Sequence, residues 1–155
     1  MKSKFFNVTS HVLTDEQRSV IEAAGFEIVE LPNHLKDRWF NVPPDASNET
    51  LMALVRDVAT FIKAHDLGLF NIALIQGEPV VCHNMAEFIK YPGATKGVLV
   101  IPVVATTRRE AAEISQPDGT VKTVKVSVFR HVGFRPYHLH QRGLLDEILK
   151  GGGEE

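Results

Sequence analysis

Two short apolar runs most constrain what this chain can fold into. Ile72-Ala73-Leu74-Ile75 has no polar residue to alternate with, as expected of a central parallel strand covered on both faces. Val98-Leu99-Val100-Ile101-Pro102-Val103-Val104 is a second buried strand, whose Pro102 lacks a ladder donor and predicts an edge or bulged position. Strands buried on both faces need helices on both sides, and the remaining sequence supplies them.

Phe5-Phe6-Asn7-Val8 reads as a first short strand. Thr14 with Gln17 three residues on matches a capping box, and Gly25 is a suitable helix stop. Phe26 to Leu31 alternates as a half-buried strand and ends at Pro32, before a loop with Trp39, Pro43 and Pro44. Ser47 is a good N-cap for a helix whose Leu51, Leu54, Val55, Val58, Phe61 and Ile62 share one face and which should end near Gly68. After Ile75, Gln76-Gly77-Glu78-Pro79 opens a helix through Met85, Phe88 and Ile89. Pro117-Asp118-Gly119, within Gln116 to Thr120, is a turn signal between two strand-like runs, Ala112 to Ser115 and Val121 to Val128. Leu144 to Leu149 predicts a short terminal helix before Gly151-Gly152-Gly153.

This order predicts an α/β fold: a Rossmann-like, mostly parallel sheet flanked by helices, with an appended C-terminal β-hairpin. One domain should occupy residues 1–155, with the hairpin extension at about 109–137 and a flexible tail at about 150–155. No apolar stretch approaches the roughly 18 residues of a membrane span, and no signal-peptide h-region opens the chain, so a cytoplasmic location is expected. The single cysteine, Cys82, reads as a small buried hydrophobe.

Net charge is -2, but it is unevenly placed. Residues 106–142 hold seven Lys/Arg and three Asp/Glu, whereas residues 1–105 hold nine and twelve. That pattern fits a local anion site and not a long nucleic-acid groove, which would need basic residues through more of the chain. No GxGxxG or GxxxxGK[ST] fingerprint is present, which argues against NAD and ATP.

In an open α/β sheet ligands bind beyond the carboxyl ends of the strands, where strand order reverses. Three strand ends carry unusual polar residues: Asn7, Thr9, Ser10 and His11; Gln76, Gly77 and Glu78; and Thr106, Thr107, Arg108 and Arg109. Each group has a plain structural alternative as turn or surface residues, and a parallel sheet would bring all three to one rim. Gln76-Gly77 at a helix start can offer N–H groups to a phosphate or an adenine edge. From Phe129 to Tyr137, Arg130, His131 and Arg135 are interleaved with aromatic residues, which suits phosphate contacts with base stacking and equally an edge strand. His138 and His140 have a strand-like spacing with no carboxylate among them, so no metal is expected.

The ordered set Asn7 to Thr14 with Gln17, Glu30-Leu31-Pro32 with Trp39 and Pro43-Pro44, Ile75 to Glu78, Ala105 to Arg109 and Phe129 to Arg135 resembles the stand-alone CRISPR-associated proteins related to CARF domains, among them the ring nucleases of type III antiviral defence. The resemblance spans residues 5 to 137. It implies a homodimer that binds cyclic oligoadenylate, cyclic tetra-adenylate first among the rings, without cofactor or metal. It implies cleavage by attack of a ribose 2′-hydroxyl on the adjacent phosphorus, giving linear products with a 2′,3′-cyclic phosphate. By the same resemblance Thr9 and Ser10 would meet ring phosphates, Gln76 and Gly77 an adenine or the backbone, and Thr106 and Thr107 the scissile phosphate. Asn7, Glu78, Arg130 and Arg135 would complete the ligand contacts, and Arg108 or Arg109 would stabilise the transition state. His11 or His131 would move the proton, since imidazole titrates near neutral pH. A non-catalytic sensor or sponge for the same ligand is the alternative.

Overall fold

The computed structural model describes residues 2–115, 117–119, 121–124 and 126–152. In chain order these form β1 (Lys4–Val8), α1 (Asp15–Ala23), β2 (Glu27–Glu30), α2 (Asn33–Phe40), α3 (Asn48–Lys63), β3 (Phe70–Ile75), α4 (Pro79–Phe88), β4 (Leu99–Ser115), β5 (Val121–Val124), β6 (Val126–Pro136) and α5 (Arg142–Glu147). The strands β2, β1, β3 and β4 lie side by side in that order and are parallel, while β5 and β6 both run antiparallel to β4. The fold is the expected α/β architecture, Rossmann-like with an antiparallel extension.

Alternation across the strands explains the unbroken apolar runs. Phe5, Ile72, Leu74, Ile101 and Val103 pack on one face against α1, Phe134 and Leu145 of α5. Phe6, Val8, Ala73, Ile75 and Val100 pack on the other, against α2, α3 and α4. A strand between two helical layers has no solvent side, so both sets of alternate residues are apolar.

Local signals behave as their chemistry dictates. Thr14 and Gln17 close the capping box of α1, each side chain bonded to the other's backbone N–H. Gly25, at φ 90°, lets its N–H reach the Glu22 carbonyl and that of Phe26 reach Ile21, the paired bonds of a Schellman stop. Ser47 caps α3 through the Thr50 N–H.

Four expectations are corrected. The segment read as a loop around Trp39 is helix α2, which buries Leu35 and Trp39, one turn apart. Helix α3 ends at Lys63 and not near Gly68; Gly68 instead lets two backbones approach, since a Cβ there would sit 2.8 Å from Ser3 N and Cα. Pro102 is on neither an edge nor a bulge: it lies opposite Ala73 in an interior strand. Its carbonyl accepts the Tyr137 N–H just past the end of β6, and its missing donor would face that same side. Finally, β4 does not end near Val104 but continues to Ser115, paired with β6 and β5 as a long two-stranded arm. Gln116 and Thr120 of the expected turn, Lys125 in the second strand and Gly153 to Glu155 of the tail lie outside the described residues.

At the amino end of the sheet, fully buried Asn71 acts as a hub. Its Oδ1 accepts the Lys4 and Gly68 N–H groups, and its Nδ2 donates to the Gly68 and Leu99 carbonyls. It thereby satisfies backbone groups of β1, β4 and the loop before β3 that no ladder reaches. No helix among the described residues is long and apolar enough to cross a membrane.

Candidate functional site

Strand β1 leads through α1 to β2 on one side, and the chain then passes through α2 and α3 to β3 on the other. Strand order therefore reverses between β1 and β3, and their carboxyl ends carry two of the expected polar groups. The rim is stitched directly: the Gln76 N–H donates to Val8 O at 3.2 Å, and Gln76 Oε1 accepts the Ala105 N–H at 3.2 Å. Thus β1, β3 and β4 meet at this point.

Asn7 and Thr9 are buried and largely build the rim. Asn7 Nδ2 donates to Glu30 Oε1 at 3.0 Å and to His11 O at 2.9 Å. Thr9 Oγ1 lies 2.8 Å from Asn7 Oδ1 and accepts the His11 N–H at 3.0 Å. The knot ties the end of β1 to β2 and turns the chain, leaving Ser10 half-buried and His11 exposed beyond it.

Gln76 and Gly77 rest on Trp39. The indole Nε1–H donates to Gln76 O at 2.8 Å, and a Cβ on Gly77 would stand 2.6 Å from that same nitrogen. Glu78, expected among ligand contacts, caps α4: its Oε2 accepts the Val81 N–H at 2.9 Å. A cavity of about 350 Å³ opens here, walled by Gln76, Gly77, Cys82, His83, Val104 and Tyr137. Tyr137 donates its hydroxyl to Ile75 O at 2.6 Å, and burial raises its pKa well above the phenolic range. Burial likewise pushes the Cys82 thiol up, so it is a protonated wall group and not a nucleophile. Gln76 Nε2 has no partner among the described residues and remains available to a ligand acceptor.

Thr106 to Arg109 do not stand at a strand end but along the arm. Thr106 Oγ1 donates to Gly133 O at 3.1 Å, and the register then slips, so that Val132 is the extra residue of a bulge in β6. Thr107 lies opposite His131, Arg108 opposite Arg130, and Val104 opposite Arg135. Alternation places Thr107 and Arg109 on one face of β4 and Arg108 on the other, while Arg135 lies across from Val104, a residue of the cavity wall. The neighbouring arginines therefore serve opposite faces. Both are exposed.

Arg130 is engaged by carboxylates. Its Nη1 lies 3.3 Å from Glu16 Oε1 in the first turn of α1, and its Nε 3.6 Å from Glu110 Oε2. With all three side chains about half exposed, these pairs add little stability, though the Glu16 pair ties the arm to α1. Next to it His131 packs on Phe134, ring centroids 4.9 Å apart, and its Nδ1 is buried with no hydrogen-bond partner. Burial lowers the imidazole pKa from its ordinary 6.5, an effect opposed by Glu16. His131 is thus a neutral imidazole beside Thr107.

The rim brings together Thr9, His11 and Gln76, with Ala105 leading into Thr106. The arm joins Thr107 to His131 and Arg108 to Arg130. Trp39, Tyr137 and His83 were not expected there; Trp39 was hidden by reading α2 as a loop, and Tyr137 reaches the rim only by pairing of β6 with β4. No group of three or more His, Cys, Asp or Glu placed to hold a metal ion occurs among the described residues.

The model of a family described as the uncharacterized protein MJ1673 family matches residues 3–135, which contain the rim apart from Tyr137 and both sides of the arm up to Arg135. A relative, the uncharacterized protein MJ1673 of Methanocaldococcus jannaschii, is 30% identical over 139 residues, 87% of this chain and 97% of the relative. No solved structure matches. The chain belongs to the uncharacterized protein MJ1673 family.

Proposed function

We propose that the protein is a ring nuclease of type III CRISPR defence, a cytoplasmic homodimer that binds cyclic oligoadenylate at the carboxyl-end rim and opens it without a metal. A ribose 2′-oxygen bonds to the phosphorus on its own 3′-oxygen, and the bond from that phosphorus to the next 5′-oxygen breaks. The 2′-hydroxyl proton goes to a base, the 5′-oxygen gains a proton, and a linear product with a 2′,3′-cyclic phosphate results. The substrate class comes from the resemblance to CARF-related proteins. Support within this molecule comes from a switch-point rim beside a basic arm.

The observation that carries the catalytic part is His131, a neutral imidazole with an unpartnered, buried Nδ1 opposite Thr107. A neutral imidazole accepts the 2′-hydroxyl proton, and as imidazolium it can return one to the leaving 5′-oxygen. In this assignment Arg109 and Thr107, on the His131 face, serve the phosphate, and Ser10 and His11 approach from the end of β1. A base would sit in the cavity of Gln76 and Gly77, with Arg135 across from its wall residue Val104 and Arg108 farther along the arm, across from Arg130. Positioning and charge neutralisation are the work required of such a site.

Binding without cleavage is favoured by one observation: the hydroxyls of Thr9 and Thr106 are occupied by internal hydrogen bonds. Incubation with cyclic tri-, tetra- and hexa-adenylate in excess EDTA, with products resolved by chromatography, separates the two. Linear products ending in 2′,3′-cyclic phosphate are expected. Tight binding with intact rings would leave a sponge, and no binding of any ring would remove the whole assignment.

A further inference from the structure

Three strand edges of this sheet face outward, and two of them are guarded. Strand β2, at one side, is only four residues long and has Glu27 and Glu30 at its ends, charges that discourage further pairing. Strand β6, at the other side, is interrupted by the bulge at Val132 and held to α1 through Arg130 and Glu16. The third edge belongs to β4 where it leaves the body. Pairing of β4 with β3 stops at Val103, and the Gln76 side chain supplies one more rung by accepting the Ala105 N–H. Beyond that rung no strand among the described residues lies along this side of β4, which runs on to Ser115 with β6 and β5 on its other side.

Successive strand residues turn their backbone N–H and C=O groups to opposite sides. The Ala105 N–H turns away from β6, so those of Thr107, Ala111 and Ser115 turn the same way. Thr107 to Glu110 are exposed, and a strand edge that meets solvent is a template for another strand. The sequence specifies which strand. Thr107-Arg108-Arg109-Glu110-Ala111-Ala112-Glu113-Ile114-Ser115 complements itself when reversed about Ala111. Antiparallel pairing about a two-fold axis there sets Thr107 opposite the partner's Ser115 and Arg109 opposite the partner's Glu113, each occurring twice by symmetry. Hydroxyl pairs and opposite charges are favourable cross-strand neighbours. Moving the axis to Arg109, Glu110 or Glu113 would set that charge against its own copy, which is unfavourable.

We propose that the open edge of β4 is a self-association surface, on which a second copy of this chain pairs antiparallel through Thr107 to Ser115 to make one continuous ribbon centred on Ala111. It gives the homodimer proposed above an interface, but it rests on the edge alone and holds whatever the rim binds. The axis crosses the arm and not the rim, so each copy keeps its own rim. Arg109, with several N–H donors, can meet the partner's Glu113 and a phosphate together.

Sedimentation velocity over a range of concentrations should show a reversible dimer. Ala111→Pro removes an N–H that faces the partner and not β6, a change that an open edge tolerates. It deletes two hydrogen bonds across the axis and should weaken association about 10–100-fold with an unchanged circular dichroism spectrum. Should proline disturb folding, Glu113→Arg should weaken association as well, and adding Arg109→Glu should restore it. Ala111→Cys should form an intermolecular disulfide under mild oxidation, since directly opposite residues stand about 5.5 Å apart between Cα atoms. Ala112→Cys, off the axis, should not, and the native Cys82 is buried. A wild type that stays monomeric at high micromolar concentration, a fully dimeric Ala111→Pro, a charge swap that restores nothing, or equal cross-linking of the two cysteine variants would overturn the pairing. A dimer of this kind that binds no ring would refute the rim proposal alone, and a monomer that opens rings would refute the pairing alone.

Discussion

Replacing Gly77 by alanine tests the link between the core and the rim. The added Cβ would lie 2.6 Å from Trp39 Nε1 and 3.2 Å from its Cε2, well inside van der Waals contact. The indole cannot swing away, because Trp39 is 2% exposed and packed with Val8, Leu35, Leu54 and Ile75. Nor can it retreat along its own axis without breaking the 2.8 Å hydrogen bond to Gln76 O. Overpacking of this kind costs about 1–3 kcal/mol, and a lost hydrogen bond adds about 0.5–1.5 kcal/mol. A total near 2–4 kcal/mol is a large share of the ~5–15 kcal/mol by which a domain is stable. For a chain of this length the melting point should fall by roughly 5–15 °C. Trp39 is the only tryptophan, so urea unfolding followed by its fluorescence reports both stability and the local disturbance. The control is Trp39→Phe, which removes Nε1: in that background, followed by circular dichroism, Gly77→Ala should cost less than about 0.5 kcal/mol, because neighbours couple. A wild-type-like midpoint for Gly77→Ala, or an undiminished penalty beside phenylalanine, would refute the clash.

Asn71→Ala should destabilise by about 3–5 kcal/mol, since it orphans the Lys4 and Gly68 N–H groups and the Leu99 carbonyl in the interior; a change in urea midpoint worth less than about 1 kcal/mol would contradict the hub. In the ring-cleavage assay Arg109→Ala should reduce turnover far more than affinity, whereas Arg108→Ala should weaken binding and spare turnover; the reverse pattern would move the scissile phosphate to the cavity face. The pKa of His131 is lowered by folding, so the stability conferred by its neutral form is fully present above 6.5 and is lost as pH falls through the folded value. Urea midpoints measured across that range should decline with falling pH in the wild type and decline less in His131→Phe; parallel curves would show that His131 is not the titrating group.

The sequence was most legible where one residue type has one physical use. Ile72 to Ile75 can only be a strand covered twice, and Thr14, Gln17 and Gly25 bracket α1 by hydrogen bonds a reader can count. Helix α2 was hidden because it offers two buried residues, Leu35 and Trp39, among polar ones between Pro32 and Pro43. The length of β4 was hidden for a different reason. Beyond Val104 the strand is held by pairing with β6, and a two-stranded ribbon needs no apolar run. At the rim, composition pointed to the right places but could not show direction. Asn7 and Thr9 turn their polar atoms on each other and on Glu30, and Glu78 spends its carboxylate on a helix cap. The way Arg108 and Arg109 divide between faces follows from alternation alone, once β4 is known to run through them.

The unequal reach of the strand pairings bears on how the molecule assembles. Strands β4 and β5 meet within a few residues of Ser115 and Val121, whereas Lys4 N–H and Asn71 Oδ1 join positions 67 residues apart. Contacts between distant segments form slowly, and a lone hairpin is only marginally stable. The arm is therefore the segment that can pair and dissolve repeatedly while the chain searches. The junction of Val8, Gln76 and Ala105 exists only after β1 has found β3 and β3 has found β4. A refolding chain should regain its backbone signal before it regains any capacity to hold a ligand at the rim.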